Sequence, residues 1–244
     1  MTISSLFLDT VLPAGTYKQL SDFEIPDTFS AQPGPSTMLG AYNLKRSGNN
    51  IRANHADLAF PAYEIGSVVR QENSCLLGRD GYLDTKLNPA IPWSAAFLIK
   101  KPSDTAQRWV FGNFLGANNT GIAIMYTDTI IRLFISVTNS SGTAVLADTT
   151  QNIPAGTAAG AGVGFSMQSN PTGATLSVYN PGTDNISFSS AGGISTITAD
   201  RTMLLGSKYD GMTASLSEVV YTLIYAGPLS EAQHKSVPKY LLTL

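Results

Sequence analysis

Leu216-Ser217-Glu218-Val219-Val220-Tyr221-Thr222-Leu223-Ile224-Tyr225, followed after Ala226 by Gly227-Pro228-Leu229-Ser230-Glu231-Ala232-Gln233, is the stretch that decides the fold. A run this rich in β-branched, aromatic and aliphatic residues reads as a buried strand. Gly227-Pro228 ends it, because that pair marks a turn. Ser230 can then cap free backbone N–H groups, and Gln233 stands where the reciprocal capping partner belongs. Glu231 suits the positive end of the helix dipole. Pro238 is expected to limit this helix to about two turns, since its ring clashes with a helix interior. Ahead of the strand lie Met203-Leu204-Leu205-Gly206 and the polar loop Ser207-Lys208-Tyr209-Asp210-Gly211.

Working outward, the same strand logic recurs. Trp93, Ala95, Phe97 and Ile99 alternate with Ser94, Ala96, Leu98 and Lys100, which predicts a strand with one buried face. Arg108 to Phe114 reads as another, with Gly112 marking a bulge or a close backbone approach. Gly121 to Tyr126 and Ile130 to Val137 flank Thr127-Asp128-Thr129, a connection of hairpin length. Val163, Phe165 and Met167 alternate with small or polar residues, and Leu176 to Tyr179 ends at Asn180-Pro181-Gly182. Each strand has an apolar face to bury, and two sheets packed face to face are the usual solution. The expectation is an all-β, two-sheet antiparallel β-sandwich of jelly-roll type with a short C-terminal helix. Residues 1–45, punctuated by Pro26, Pro33, Gly34 and Pro35, read as an extended N-terminal arm; residues 46–244 form the sandwich.

Composition removes several classes of function. Only 13% of the 244 residues are charged and the net charge is -2, so nothing resembles a phosphate-neutralising patch and nucleic acid is not an expected partner. No apolar run approaches the roughly 20 residues of a membrane-spanning helix. The first residues lack the basic start and apolar run of a signal peptide. The single cysteine, Cys75, excludes an internal disulfide and reads as a small core residue.

The closing pattern resembles laminin-G-like, concanavalin-A-like jelly rolls. Leu204-Leu205-Gly206, the strand with Glu218-Val219, and Leu229-Ser230-Glu231 carry the likeness, together with Pro92 to Pro102 and the hairpin Gly121 to Val137. Met212-Thr213-Ala214-Ser215 departs from it, standing where that family often has an aromatic-glycine pair. The resemblance implies a two-sheet sandwich that binds carbohydrate or protein, sometimes with Ca²⁺. The Pro-rich arm ahead of a turn-rich β domain also resembles accessory and receptor-binding domains of phage and prophage tails. That likeness implies a virion location, or a cytoplasmic one before release by lysis, with virion proteins as partners and a homo-oligomer such as a trimer.

Chemistry narrows further. The acidic residues are scattered, and no close carboxylate pair for glycoside hydrolysis is legible. There are two histidines, His55 and His234, and no Gly-x-Ser-x-Gly elbow. The reading leans away from an enzyme, with a polysaccharide-degrading glycosidase or lyase as one alternative and a purely structural virion protein as the other. No cofactor is required; Ca²⁺ is the one ion left open, on Asp80 and Asp84. Sugar binding needs an aromatic face and polar fingers. Trp109 with Asn118 and Asn119, and Tyr209 with Asp210, are the candidates for a cell-surface glycan.

Overall fold

The computed structural model describes residues 29–45, 50–116, 120–193, 195–196, 199–209 and 215–244. In chain order the strands are β1 (Met38–Asn43), β2 (Tyr63–Gly66), β3 (Val69–Arg70), β4 (Cys75–Leu77), β5 (Gly81–Asp84), β6 (Trp93–Lys100), β7 (Arg108–Gly112) and β8 (Ile122–Tyr126). They continue with β9 (Ile130–Thr138), β10 (Ala144–Asn152), β11 (Gly162–Asn170), β12 (Gly173–Asn180), β13 (Asn185–Gly192), β14 (Ser195–Thr196), β15 (Leu204–Leu205) and β16 (Ser217–Ala226). Helix α1 (Glu231–Leu241) closes the chain.

Two antiparallel sheets form the sandwich. The first runs β13-β12-β11-β6-β16-β4-β3, with β1 also paired to β16; the second runs β10-β9-β8-β7-β15-β5-β2, with β14 on β9. Between them lies a core to which Trp93, Ala95, Phe97 and Ile99 of β6 contribute one row and Ile131, Leu133, Ile135 and Val137 of β9 another. Phe97 stacks on Phe165 with ring centres 4.9 Å apart.

The opposite face of β6 is buried too. Ala96 and Leu98 join a second apolar cluster with Val220, Leu223, Tyr225, Val237, Leu241 and Phe29. Helix α1 and the segment around Phe29 thus cover the outside of the first sheet, where the sequence pattern predicted one buried face. Met38–Asn43, placed by the sequence reading in the arm, is a strand of the sandwich, hydrogen-bonded to β16. The boundary at residue 45 therefore does not coincide with the edge of the β body; residues 1–28 lie outside the described residues.

The helix departs from expectation as well. Its capping box forms as read: Gln233 N–H donates to Ser230 Oγ and Ser230 N–H donates to Gln233 Oε1. Yet it continues through Pro238 to Leu241. Proline lacks the N–H that would bond the carbonyl four residues back, and here that carbonyl, His234 O, lies 3.4 Å from the Ser166 hydroxyl of β11. Gly164 makes room for the ring, since a side chain there would begin 2.8 Å from Pro238 O. Tertiary packing overrides the local veto.

Gly112 behaves as read. The β7–β8 register slips between Trp109 and Phe111, and a Cβ on Gly112 would sit 2.6 Å from Ile122 O.

Candidate functional site

Because helix α1 packs on the first sheet, the outer face of the second sheet carries no helix among the described residues. Strand alternation sends Arg132 and Phe134 of β9, Met125 of β8 and Trp109 of β7 to that face, the last two in direct register. Trp109 is half-buried there and belongs to neither apolar cluster. Its carbonyl accepts a bond from the Ser217 hydroxyl, which fixes the strand against the start of β16.

Aromatic rings on this face are paired with cations. Arg132 lies 4.6 Å from the centre of the Phe134 ring, Lys208 5.0 Å from Trp109, Arg201 5.4 Å from Tyr209 and Lys86 4.8 Å from Tyr63. Phe134 and Trp109 also meet each other, centres 5.7 Å apart. A cation above a ring is attracted by its quadrupole and holds it in place. Tyr63 and Tyr209 keep 53% and 37% of their surface open to solvent.

Polar bonds tie the pairs together. The Thr202 hydroxyl donates to Asp84 Oδ1 at 2.7 Å and stands 3.0 Å from the Tyr209 hydroxyl. Lys86 reaches Asp84 Oδ2 at 2.6 Å, and its backbone N–H donates to Oδ1 at 2.9 Å. Burial works to raise the Asp84 pKa, but these bonds from Lys86 and Thr202 outweigh it and hold the carboxyl below the usual range. Arg201 donates to Thr120 Oγ1 at 2.6 Å and to Asn113 O at 3.2 Å. Tyr209 N–H donates to Phe114 O at 3.2 Å. The ends of the β7–β8 connection are thereby bound to the Arg201–Tyr209 segment.

Two of the sequence candidates, Trp109 and Tyr209, thus stand on one face, beside the cations Lys208 and Arg201. Asn118, Asn119 and Asp210 lie outside the described residues. Asp80 and Asp84 are not brought together. Asp80 sits exposed in the tight turn between β4 and β5, while Asp84 ends β5, roughly 13 Å along an extended chain. Both oxygens of Asp84 are already engaged, and among the described residues no three His, Cys, Asp or Glu side chains gather to hold a metal. Arg201, Lys208, Phe134, Arg132, Lys86 and Tyr63 were missed. Arg132 and Phe134, two apart on a strand, carried a legible signal; the others come from distant segments.

His234 marks a different place. Its Nδ1 lies 2.8 Å from Ser166 Oγ and 3.1 Å from Ser177 Oγ, with the two hydroxyls 2.7 Å apart. Both serines are fully buried, so neither hydroxyl can meet a substrate. Gln168 Oε1 stands 3.4 Å from Nε2. Burial pushes the His234 pKa down to about 4. Cys75 is likewise buried, its thiol raised to about 11 chiefly by burial.

No family model matches the chain, and no curated protein matches it. Solved structures do. The receptor-binding domain of botulinum neurotoxin D superposes with a TM-score of 0.57 at 12% identity, over 83% of this chain and 52% of that one. The neurotoxin D ligand-binding domain in complex with N-acetylneuraminic acid gives 0.57 at 12%, over 83% and 50%. The botulinum neurotoxin DC binding domain in complex with SialylT gives 0.55 at 14%, over 84% and 52%. The chain spans about half the length of these neighbours, and at such identity the likeness shows the fold. It is a β-sandwich of the jelly-roll kind. Among the described residues no helix is long and apolar enough to cross a membrane.

Proposed function

We propose that this chain is a non-catalytic recognition module that binds cell-surface carbohydrate through the outer face of its second sheet, with a preference for acidic sugars. The observation that carries the proposal is the row of rings held by cations, with Tyr63 and Tyr209 open to solvent. Ring faces suit sugar C–H groups, and Arg201, over the Tyr209 ring, supplies positive charge for a sugar carboxylate. Two structural neighbours are described in complex with N-acetylneuraminic acid or SialylT, which supports the same ligand class without locating it. The setting, a phage- or prophage-tail-like assembly in which linked copies turn weak sites into avid ones, rests on the sequence resemblance.

A glycan array probed with the purified chain tests this. Signal on glycans ending in N-acetylneuraminic acid, lost on enzymatic removal of that sugar, is the expected result. Retention on neutral glycans alone, or on none, refutes it.

A further inference from the structure

A cavity opens at the rim of the sandwich, formed by residues that take no part in the outer-face site. It is a groove of about 520 Å³ where the β8–β9 turn, the end of β10 and the β12–β13 hairpin converge. That size lies within the range of small-molecule sites. Ile153 and Val178, both buried, supply apolar lining. Asn152, Thr183 and Asn185 line it with exposed amides and a hydroxyl. Asp128 lines it as well, and its Oδ1 is buried without a hydrogen-bond partner. The Asp128 side chain is half-buried, so its carboxylate stands at the groove wall as an acceptor for a donor that enters.

The lining discriminates among ligand classes. A metal ion would require more hard ligands than one carboxylate, and no acidic or histidine cluster gathers there among the described residues. An anion would meet Asp128, while the ammonium of Lys101 is engaged by Thr157 O at 2.7 Å. A neutral ring with hydroxyls on its edge and C–H groups on its face satisfies every element present. We infer that this rim groove binds a neutral, hexose-sized saccharide, with Asp128 accepting from a sugar hydroxyl and Ile153 and Val178 backing the ring. The groove rests on its own lining and does not depend on the outer-face reading.

The test is saturation-transfer NMR and calorimetric titration of the full chain with D-galactose, D-glucose and N-acetyl-D-glucosamine. At least one should bind. Asp128→Ala should weaken that sugar by roughly tenfold or more, the loss of one hydrogen bond to a charged acceptor. Ala155→Trp, which fills the rim without touching Asp128, should abolish binding, so a folding defect in one variant does not decide the matter. Tyr209→Ala should leave it unchanged. Failure of all three sugars to bind overturns the inference, as does binding that survives both groove variants or is lost in Tyr209→Ala instead.

Discussion

The ammonium group of Lys208 lies 5.0 Å from the centre of the Trp109 ring. Lys208 is itself buried, 7% exposed, and reaches a second ring, Phe114, at 5.5 Å. A cation held between two rings away from water orders both, and such contacts are worth about 0.5–2 kcal/mol. Lys208→Met keeps the apolar stem and removes the charge. It should lower the melting temperature by an amount matching that range and blue- or red-shift the fluorescence of Trp109, read against Trp109→Phe to remove the Trp93 signal. An unchanged spectrum would show that Lys208 does not position the ring.

His234 yields a pH dependence. In the unfolded chain it titrates near its ordinary value of 6.5, and in the fold burial holds it neutral down to about 4. Between those values the unfolded state binds the extra proton, so stability rises with pH there. The contribution is complete above about 6.5, falls as pH drops toward 4, and amounts to roughly 3 kcal/mol at most. Chemical denaturation from pH 7 to 4 should show wild type losing more stability than His234→Gln. Parallel curves would place the acid sensitivity elsewhere.

Calcium should leave the protein unmoved. Asp84 already accepts from Lys86 and Thr202 on its two oxygens, and Asp80 stands a strand length away. Adding Ca²⁺ or a chelator is expected to shift the melting temperature by nothing measurable, whereas a saturable rise on adding Ca²⁺ would reveal a site this geometry does not provide. Asp84→Ala should cost about 0.5–1.5 kcal/mol, the net worth of the Thr202 hydrogen bond, because the exposed Lys86 ammonium returns to water.

The sandwich was legible because its central strands carry unbroken period-two patterns, as in Trp93 to Ile99 and Ile130 to Val137. Shorter pieces were not. Met38–Asn43 and Ala144–Asn152 have mixed patterns whose strand state depends on partners, Tyr221 to Tyr225 and Ile130 to Thr138. Pro238 misled because the compensating Ser166 hydroxyl sits 72 residues earlier in the chain. For the site, Trp109 and Tyr209 showed themselves as aromatics beside polar loops. Their cations Arg201 and Lys208 did not, because nothing in a linear pattern tells which charge will lie over which ring.

The most direct test of the account is calorimetric titration of a glycan ending in N-acetylneuraminic acid into wild type and Tyr209→Ala. The open Tyr209 ring, backed by Arg201, predicts saturable binding by wild type that Tyr209→Ala weakens by about tenfold or more, with the melting temperature little changed. Equal affinity in both proteins would contradict a glycan site on this face.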